Sequence, residues 1–522
     1  MTTTRAIWIF VALMTALRLA IIGTADLSFD EAHYWLWSDR LAPAYFSKGP
    51  GVAFTIWSSA KLFGATEFGV RFWSPVLAAG TSLLTYYFTR RLFSDVTAFW
   101  LVLAMNVVPI FNIGSFFMTP DALSIFFWMA AMFTFWLALE RSPQFTWWWP
   151  LTGLLIGLGF LGKYTNALQL VSIVVVLALV PRFRREFWRP GFYSLGAAFA
   201  VCTLPPLMWN SQRAWATVSH LRTRGELNHA FGIHLGELFA FLAMHFAVFS
   251  PLLFLAVAWA VIASWKRARQ QFKGVFLIWF GIPVFALYFV LSINHAANPN
   301  WDALAFFSLA ILAASFWRER IESRPHLRKW TAAAMLIGLL LSVVALDTDL
   351  LHIFGAHFSR TSDRMRGWRS ATEAVEQVRG EAEAEIGQPV FMIADERARA
   401  SELSFYLKDK RLEGPGHPPV YIVESQDIVN QFSFWPRYDE FVETPAKRDG
   451  QSGDVYTEEG GVNPFEGRSA LYVQASDREP PRNITKAFGS VERYRSVEVR
   501  RYGRVIRTLY LFVCKNYRPL PL

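Results

Sequence analysis

Apolar residues run in long blocks through the first two thirds of the chain. A helix that crosses a bilayer needs about 20 apolar residues, with a range of roughly 17–25. Eleven blocks fall near that length: 6–23, 70–89, 96–113, 120–139, 148–162, 165–180, 192–209, 236–264, 275–293, 302–317 and 331–346. Another apolar stretch, 51–63, is too short to span and carries Lys61, so it predicts an interfacial or re-entrant helix. The run 147–180 is too long for one helix. Arg141 precedes it and Arg182, Arg184, Arg185 and Arg189 follow it, so two crossings are expected, turning near Gly162–Asn166.

After residue 346 the pattern changes to that of an ordinary globular protein. Helices are expected at Trp368–Glu383 and Arg397–Leu407, and strands at Val390–Ile393, Val420–Val423 and Ala470–Val473. Tyr494–Val513 is rich in strand formers, and Arg437–Gly467 reads as a loop. The expectation is an α-helical polytopic membrane protein of about 11 transmembrane helices (1–346) followed by a small C-terminal soluble α/β domain (347–522).

Charge gives the orientation. Loops 88–94, 140–149, 181–190, 265–274 and 317–330 hold 16 Lys or Arg in 51 residues. The alternate loops, 24–69, 112–120, 163–165, 210–235 and 294–300, hold 7 in 91. Basic loops stay in the cytoplasm, so the second set and the C-terminal domain face outward, in a bacterial periplasm across the inner membrane. This holds only for an odd number of spans. The same bias accounts for the net charge of +10, which in a soluble protein would suggest nucleic acid. Only 18% of residues are charged, against about 25% in a soluble domain, which excludes a cytosolic enzyme. Cys202 and Cys514 have no metal-like spacing and are not expected to pair. Arg5 precedes the first apolar block without a small-residue cleavage site after it, so that block reads as an uncleaved span. No internal repeat is evident.

The outward loops carry the unusual chemistry. The first contains Asp30-Glu31-Ala32-His33-Tyr34-Trp35, then Tyr45-Phe46-Ser47-Lys48-Gly49-Pro50. Asp30 and Glu31 suit the first turn of a helix capped by Ser28, a reading compatible with a carboxylate base at the water–lipid boundary. Asp121 follows Thr119-Pro120, a helix start, and a carboxylate just inside an apolar span marks a site by default. Lys163 sits at the outward turn of the 147–180 hairpin, where snorkelling to headgroups is the plain alternative. Arg213, His220, Arg222, Arg224, Glu226 and His229 occupy the loop 210–235. Cations there run against the topological bias and suit an anionic lipid phosphate, with a solvated loop as the alternative. Ionisable groups inside the spans are scarce, Arg18 and His245 among them, which argues against an ion pathway.

These motifs resemble the bacterial GT-C superfamily of glycosyltransferases, which includes protein O-mannosyltransferases and lipid A aminoarabinose transferases of glycosyltransferase family 39 type. The resemblance rests on the segments around Asp30, Lys48, Asp121 and Lys163, together with Trp209-Asn210-Ser211-Gln212 and Pro299-Asn300-Trp301, and runs through about residues 1–320. It implies a polyprenyl-phosphate sugar donor and an outward-facing acceptor: lipid A or lipopolysaccharide, another glycan, or a protein. Carried over by motif, Asp30 takes the catalytic acid position and Asp121 that of the second acid. Lys48 lies near the donor phosphate. Glu31, His33, Tyr34, Lys163, His220, Arg222 and Arg224 are candidate substrate-binding residues. Relatives tend to have Lys-Pro-Pro where this chain has Lys48-Gly49-Pro50-Gly51, which puts the placement of Lys48 in question. The resemblance leaves a divalent metal open, although no metal-ligand spacing marks a site. A phosphate leaves as a stable anion, so one carboxylate that deprotonates the acceptor hydroxyl suffices, and a single displacement inverts the anomeric centre. Two other classes remain: a transporter or flippase of lipids or lipid-linked sugars, and a membrane-anchored envelope assembly protein.

Overall fold

The computed structural model describes residues 2–227, 231–294, 298, 300–347, 365–407, 411–439 and 463–520. The chain divides into two compact units: one of 1–23 and 41–351, the other of 24–40 and 352–522.

The first unit is helical. Its helices are α1 (Thr3–Ile21), α3 (Gly51–Phe63), α4 (Glu67–Arg71), α5 (Trp73–Leu92), α6 (Asp95–Val107), α7 (Pro109–Gly114), α8 (Pro120–Glu140), α9 (Trp148–Gly162), α10 (Leu168–Leu179), α11 (Pro190–Ser211), α12 (Ala216–Arg224), α13 (Leu235–Phe249), α14 (Pro251–Ala268), α15 (Phe272–Asn294), α16 (Ala303–Ser323) and α17 (Leu327–Leu346). Among the described residues, α1, α8, α11, α14, α15 and α17 are long and apolar enough to cross a membrane. The block 236–264 is not one helix. It breaks at Ser250, whose φ is +67°, and Pro251 starts α14 because it needs no N–H partner there. The block 96–113 likewise breaks before Pro109.

Aromatic rings fill the core, as where Phe249 stacks on Phe306 at 3.8 Å and Phe276 on Phe280 at 4.5 Å. Helices α9 and α11 approach closely through Gly153 and Gly157, where an added Cβ would strike the Leu195 carbonyl and, at 2.5 Å, Cys202. Close backbone approach of this kind supplies packing between helices that lipid cannot drive together.

The five basic loops share one end of this unit. Arg91 pairs with Glu140 (2.6 Å), Lys273 Nζ donates to the Leu92 carbonyl (2.5 Å), and Arg267 pairs with Glu319 (2.9 Å). Arg182, Arg185 and Arg189 line one cleft with Glu140 and Lys273. The opposite end gathers the turn before α3, the α9–α10 hairpin, α12 and the segment before α16. The Tyr45–Lys48 turn closes with two backbone hydrogen bonds, and Gly49 and Gly51 then lie on the Leu161–Gly162 backbone. A Cβ at Gly49 would strike the Leu161 carbonyl. Gly49→Ala should therefore cost about 1–3 kcal/mol by overpacking. Gly196→Ala, on α11 with nothing within 4 Å, is the control. Thermal melting of the solubilised protein checks both, and an unchanged midpoint for Gly49→Ala would contradict the packing.

The second unit holds a five-stranded sheet in the order β2-β1-β3-β5-β4, with β1 Val390–Ala394, β2 Tyr421–Ile422, β3 Ser469–Gln474, β4 Phe488–Arg501 and β5 Arg504–Tyr517. β1 runs parallel to both β2 and β3, while β5 is antiparallel to β3 and β4. Its helices are α2 (Phe29–Asp39), α18 (Trp368–Ile386), α19 (Arg397–Tyr406) and α20 (Arg482–Ala487). The loop expected over 437–467 falls largely on 440–462, outside the described residues.

Segment 24–40 is fastened to this unit throughout its length. Asp26 accepts from the Trp368 N–H at the start of α18, and the Leu27 N–H donates to the Tyr406 hydroxyl at 2.7 Å. Arg40 donates to the carbonyls of Gly416 and His417.

Burial, with the charge of Asp439 adding to it, pushes Glu424 up to about 7 from 4.5. A carboxyl whose folded pKa is raised stabilises the fold at low pH and loses that contribution as pH rises. The unit should lose about 3 kcal/mol between pH 4.5 and 7. Hydrogen exchange of β1 and β3 in the whole protein should show that slope, and Glu424→Gln should flatten it.

Candidate functional site

Asp121 occupies the first turn of α8, after Thr119 and Pro120. Its Oδ1 takes the Lys163 ammonium at 2.6 Å, and its Oδ2 accepts from the Asn300 side-chain amide at 3.1 Å. Lys163 also donates to the Asn300 carbonyl at 3.4 Å. Lys48 is close enough to act on Asp121 through its charge. These four groups come from three separate loops and the start of α8.

Each is positioned by a local device. Lys163 ends α9, and the next turn is anchored by Asn166, fully buried, whose amide donates to the Ser124 carbonyl on α8 at 3.1 Å. This brings the hairpin turn against the helix that carries Asp121. Lys48 closes the Tyr45–Lys48 turn, which α12 holds from the side: Thr217 donates to the Tyr45 carbonyl (3.2 Å) and His220 packs on Phe46 (4.6 Å). Arg224 lies over the Trp301 ring at 5.1 Å, next to Asn300. Lys48 and Lys163 thus both act on one carboxylate, while His220 and Arg224 pack on the neighbouring segments that carry Lys48 and Asn300. Such a surplus of cations suits a ligand that brings negative charge.

A buried pair sits directly behind. His245 Nε2 and Asp302 Oδ2 are 2.9 Å apart and both side chains are fully buried. His245 Nδ1 donates to the Phe241 carbonyl (2.7 Å), and Nε2 faces the Asp302 carboxyl. Asp302 precedes α16 and follows Asn300 and Trp301, so this pair fixes the segment that reaches Asp121.

In the second unit, Asp30 stands in the first turn of α2. Ser28 and Glu31 form a complete capping box: the Ser28 N–H and hydroxyl donate to Glu31 Oε2, both at 3.0 Å, and the Glu31 N–H donates back. Glu31 is fully buried and used in that cap. Asp30 is 42% exposed and pairs loosely with Arg397 at 3.7 Å. Arg397 also lines a cavity of about 320 Å³ at the carboxyl ends of β1 and β2, with Asp395, Glu396 and Asn430. His33 is enclosed by protein. The Trp37 indole can only donate, so His33 Nε2 accepts from it (3.2 Å) and Nδ1–H donates to the Ser401 hydroxyl (3.0 Å). Burial, then the charge of Arg397, holds its pKa well below the ordinary histidine value. Tyr34 is buried with its ring edge against Trp37. The geometry thus accounts for Glu31, His33 and Tyr34 as the packing of α2, and leaves Asp30 as the accessible group of the motif.

The segment 47–209 matches the family model for dolichyl-phosphate-mannose-protein mannosyltransferase. The chain is 29% identical over 290 residues to the lipid A galacturonosyltransferase RgtD of Rhizobium johnstonii, covering 55% of this chain and 60% of that one. It is 25% identical over 346 residues to the undecaprenyl phosphate-alpha-4-amino-4-deoxy-L-arabinose arabinosyl transferase of Serratia proteamaculans, covering 62% of this chain and 60% of that one. The family resemblance read in the sequence is borne out. The chain spans about 60% of the length of these curated relatives. In fold it is similar to ArnT from Cupriavidus metallidurans bound to undecaprenyl phosphate, with a TM-score of 0.61 at 16% identity over 98% of both chains. That likeness gives the protein an ArnT-like fold, to which the six helices long and apolar enough to cross a membrane belong.

The segment matched to the family includes Lys48, Asp121 and Lys163 but stops short of Asp30. Arg222 is exposed and is not brought to the cluster. His229 lies outside the described residues. Asn166, Asp302 and the pairing of Asn300 with Asp121 were missed from the sequence. Asn166 had a signal, a polar residue at a turn between two apolar helices, but nothing local showed which helix it would bind. Among the described residues no three His, Cys, Asp or Glu side chains gather as metal ligands would.

Proposed function

We propose that the protein is an integral-membrane glycosyltransferase that moves a sugar from a polyprenyl-phosphate donor to an envelope acceptor. The observation that carries this reading is the Asp121–Lys163–Asn300 cluster with Lys48 beside it, and with His220 and Arg224 packed on the segments that bear Lys48 and Asn300. A phosphate leaving from an anomeric carbon needs fixed cations more than it needs an acid. Lys48, Lys163 and Arg224 offset the charge of the departing phosphate, and Asp121 holds Lys163 in place. Asp30 takes the proton from the acceptor hydroxyl. The new C–O bond forms as the bond to the phosphate breaks, and the anomeric centre inverts.

The membrane part comprises eleven crossings, with the broken α13–α14 pair counted as one. The gathering of all five basic loops at one end supports a cytoplasmic face there, and supports a bacterial inner-membrane protein whose 347–522 domain lies in the periplasm. The name of the galacturonosyltransferase relative favours lipid A among the acceptors, ahead of other glycans or protein, and that of the arabinosyl transferase relative favours an undecaprenyl-phosphate sugar as donor. Purified protein in a lipid disc, given radiolabelled polyprenyl-phosphate sugars and envelope fractions, should label the lipid A fraction. Absence of transfer from every such donor would overturn the reading.

A further inference from the structure

The end of the membrane unit remote from Asp121 carries a second cleft. Helix α8 separates the two, since Asp121 opens it and Glu140 closes it, about 28 Å away at 1.5 Å per residue. The cleft has a volume of about 1050 Å³ and lies between the end of α8, the segment 181–189 and the start of α15. Its charged lining is Arg182, Arg185, Arg189, Lys273 and Glu140. Glu140 is already taken by Arg91, at 2.6 Å, and by the Trp136 indole, at 2.7 Å. Arg189 is paired with the buried Glu186, which also binds Ser142. Arg182 and Arg185 have no carboxylate partner among the described residues.

Arg182 is nonetheless held in place. Its guanidinium lies over the rings of Phe183 and Phe272, at 4.4 and 4.5 Å. Stacking occupies the faces of the guanidinium and leaves its N–H edge free to bind an anion. Two flanking tryptophans set the depth. Trp147 and Trp188, 80% and 83% exposed, bracket the cleft in sequence, and exposed indoles of this kind mark the headgroup level of a bilayer. The positive-inside rule explains basic residues on this side, but not a concave wall on which one arginine is stacked and two lack a counter-ion.

We infer that this cleft binds the phosphodiester headgroup of an anionic phospholipid in the leaflet on that side. Arg182 and Arg185 contact the phosphate, Lys273 adds charge, and Pro181 and the exposed edge of Phe272 receive the glycerol and upper acyl carbons. The site is separate from sugar transfer and does not depend on that reading.

The test is lipid retention by the whole purified protein, read by native mass spectrometry after exchange into micelles containing phosphatidylglycerol or phosphatidylcholine. Phosphatidylglycerol should be retained in preference. The double variant R182Q/R185Q should weaken its retention by about 10- to 30-fold, the worth of two interfacial cations. R328Q/K329Q removes the same charge from exposed positions at the start of α17 and should leave retention unchanged. Both cleft arginines are exposed, so the variant should elute and melt like wild type. Should it fail to, R185Q alone should still weaken retention severalfold. Equal retention in the cleft and control variants would overturn the inference. So would displacement of the lipid by millimolar inorganic phosphate, which would mark a site for a soluble anion.

Discussion

Asp30→Asn should lower sugar transfer by about 10²- to 10⁴-fold, the usual contribution of a positioned general base. The amide keeps the size of the side chain and its place at a helix N-terminus, but cannot take the acceptor proton. The neighbouring acid supplies the contrast. Glu31 is buried in the capping box, and glutamine serves that motif as well as glutamate does. Glu31→Gln should therefore keep transfer near the wild-type level. Both variants need equal insertion, measured by quantitative blotting of membranes, before radiolabel transfer is compared. If Asp30→Asn transfers at more than about half the wild-type rate, a general base of that weight is excluded at this position.

Lys163→Gln should lower turnover by about 10²- to 10³-fold, as removal of a fixed charge-stabilising donor does elsewhere. A structural explanation competes, because the lysine is only 12% exposed and its loss strands the Asp121 carboxylate. The charge-neutral double variant Asp121→Asn/Lys163→Gln separates the two. If the pair only holds the fold together, removing both partners should restore transfer toward wild type. If the ammonium stabilises the leaving phosphate, the double variant stays as slow as Lys163→Gln. Turnover at saturating donor is the quantity to compare, together with the melting temperature of each variant.

The local features of this protein could be read from its sequence. Ser28 and Glu31 stand three apart and form the capping box. Thr119-Pro120 starts a helix, and the turn within 147–180 falls at Lys163. The break at Ser250 was hidden because apolar residues continue on both sides of Pro251. What was not legible is pairing at long range. The partner of His33, Ser401, is 368 positions away, and Asp121 meets Asn300 at a separation of 179. The glycine at 49 makes sense only once the Leu161 carbonyl is seen against it. Spacing along a chain reports helix faces and caps, while such meetings are decided by packing.

The second unit is built from two pieces of chain separated by roughly 300 residues of membrane helices. At synthesis rates of about 5–20 residues per second, segment 24–40 waits for something like 15 to 60 seconds before α18 and α19 emerge to receive it. Through that interval α2 has neither the Ser401 partner of His33 nor the Tyr406 partner of Leu27. Asp30 is thus set in its final surroundings only by the last third of the protein. A ribosome that stalls, or a chain clipped before residue 368, leaves the helices inserted but the proposed base unmounted. With Asp30 as the base, incomplete copies in the membrane should show no transfer.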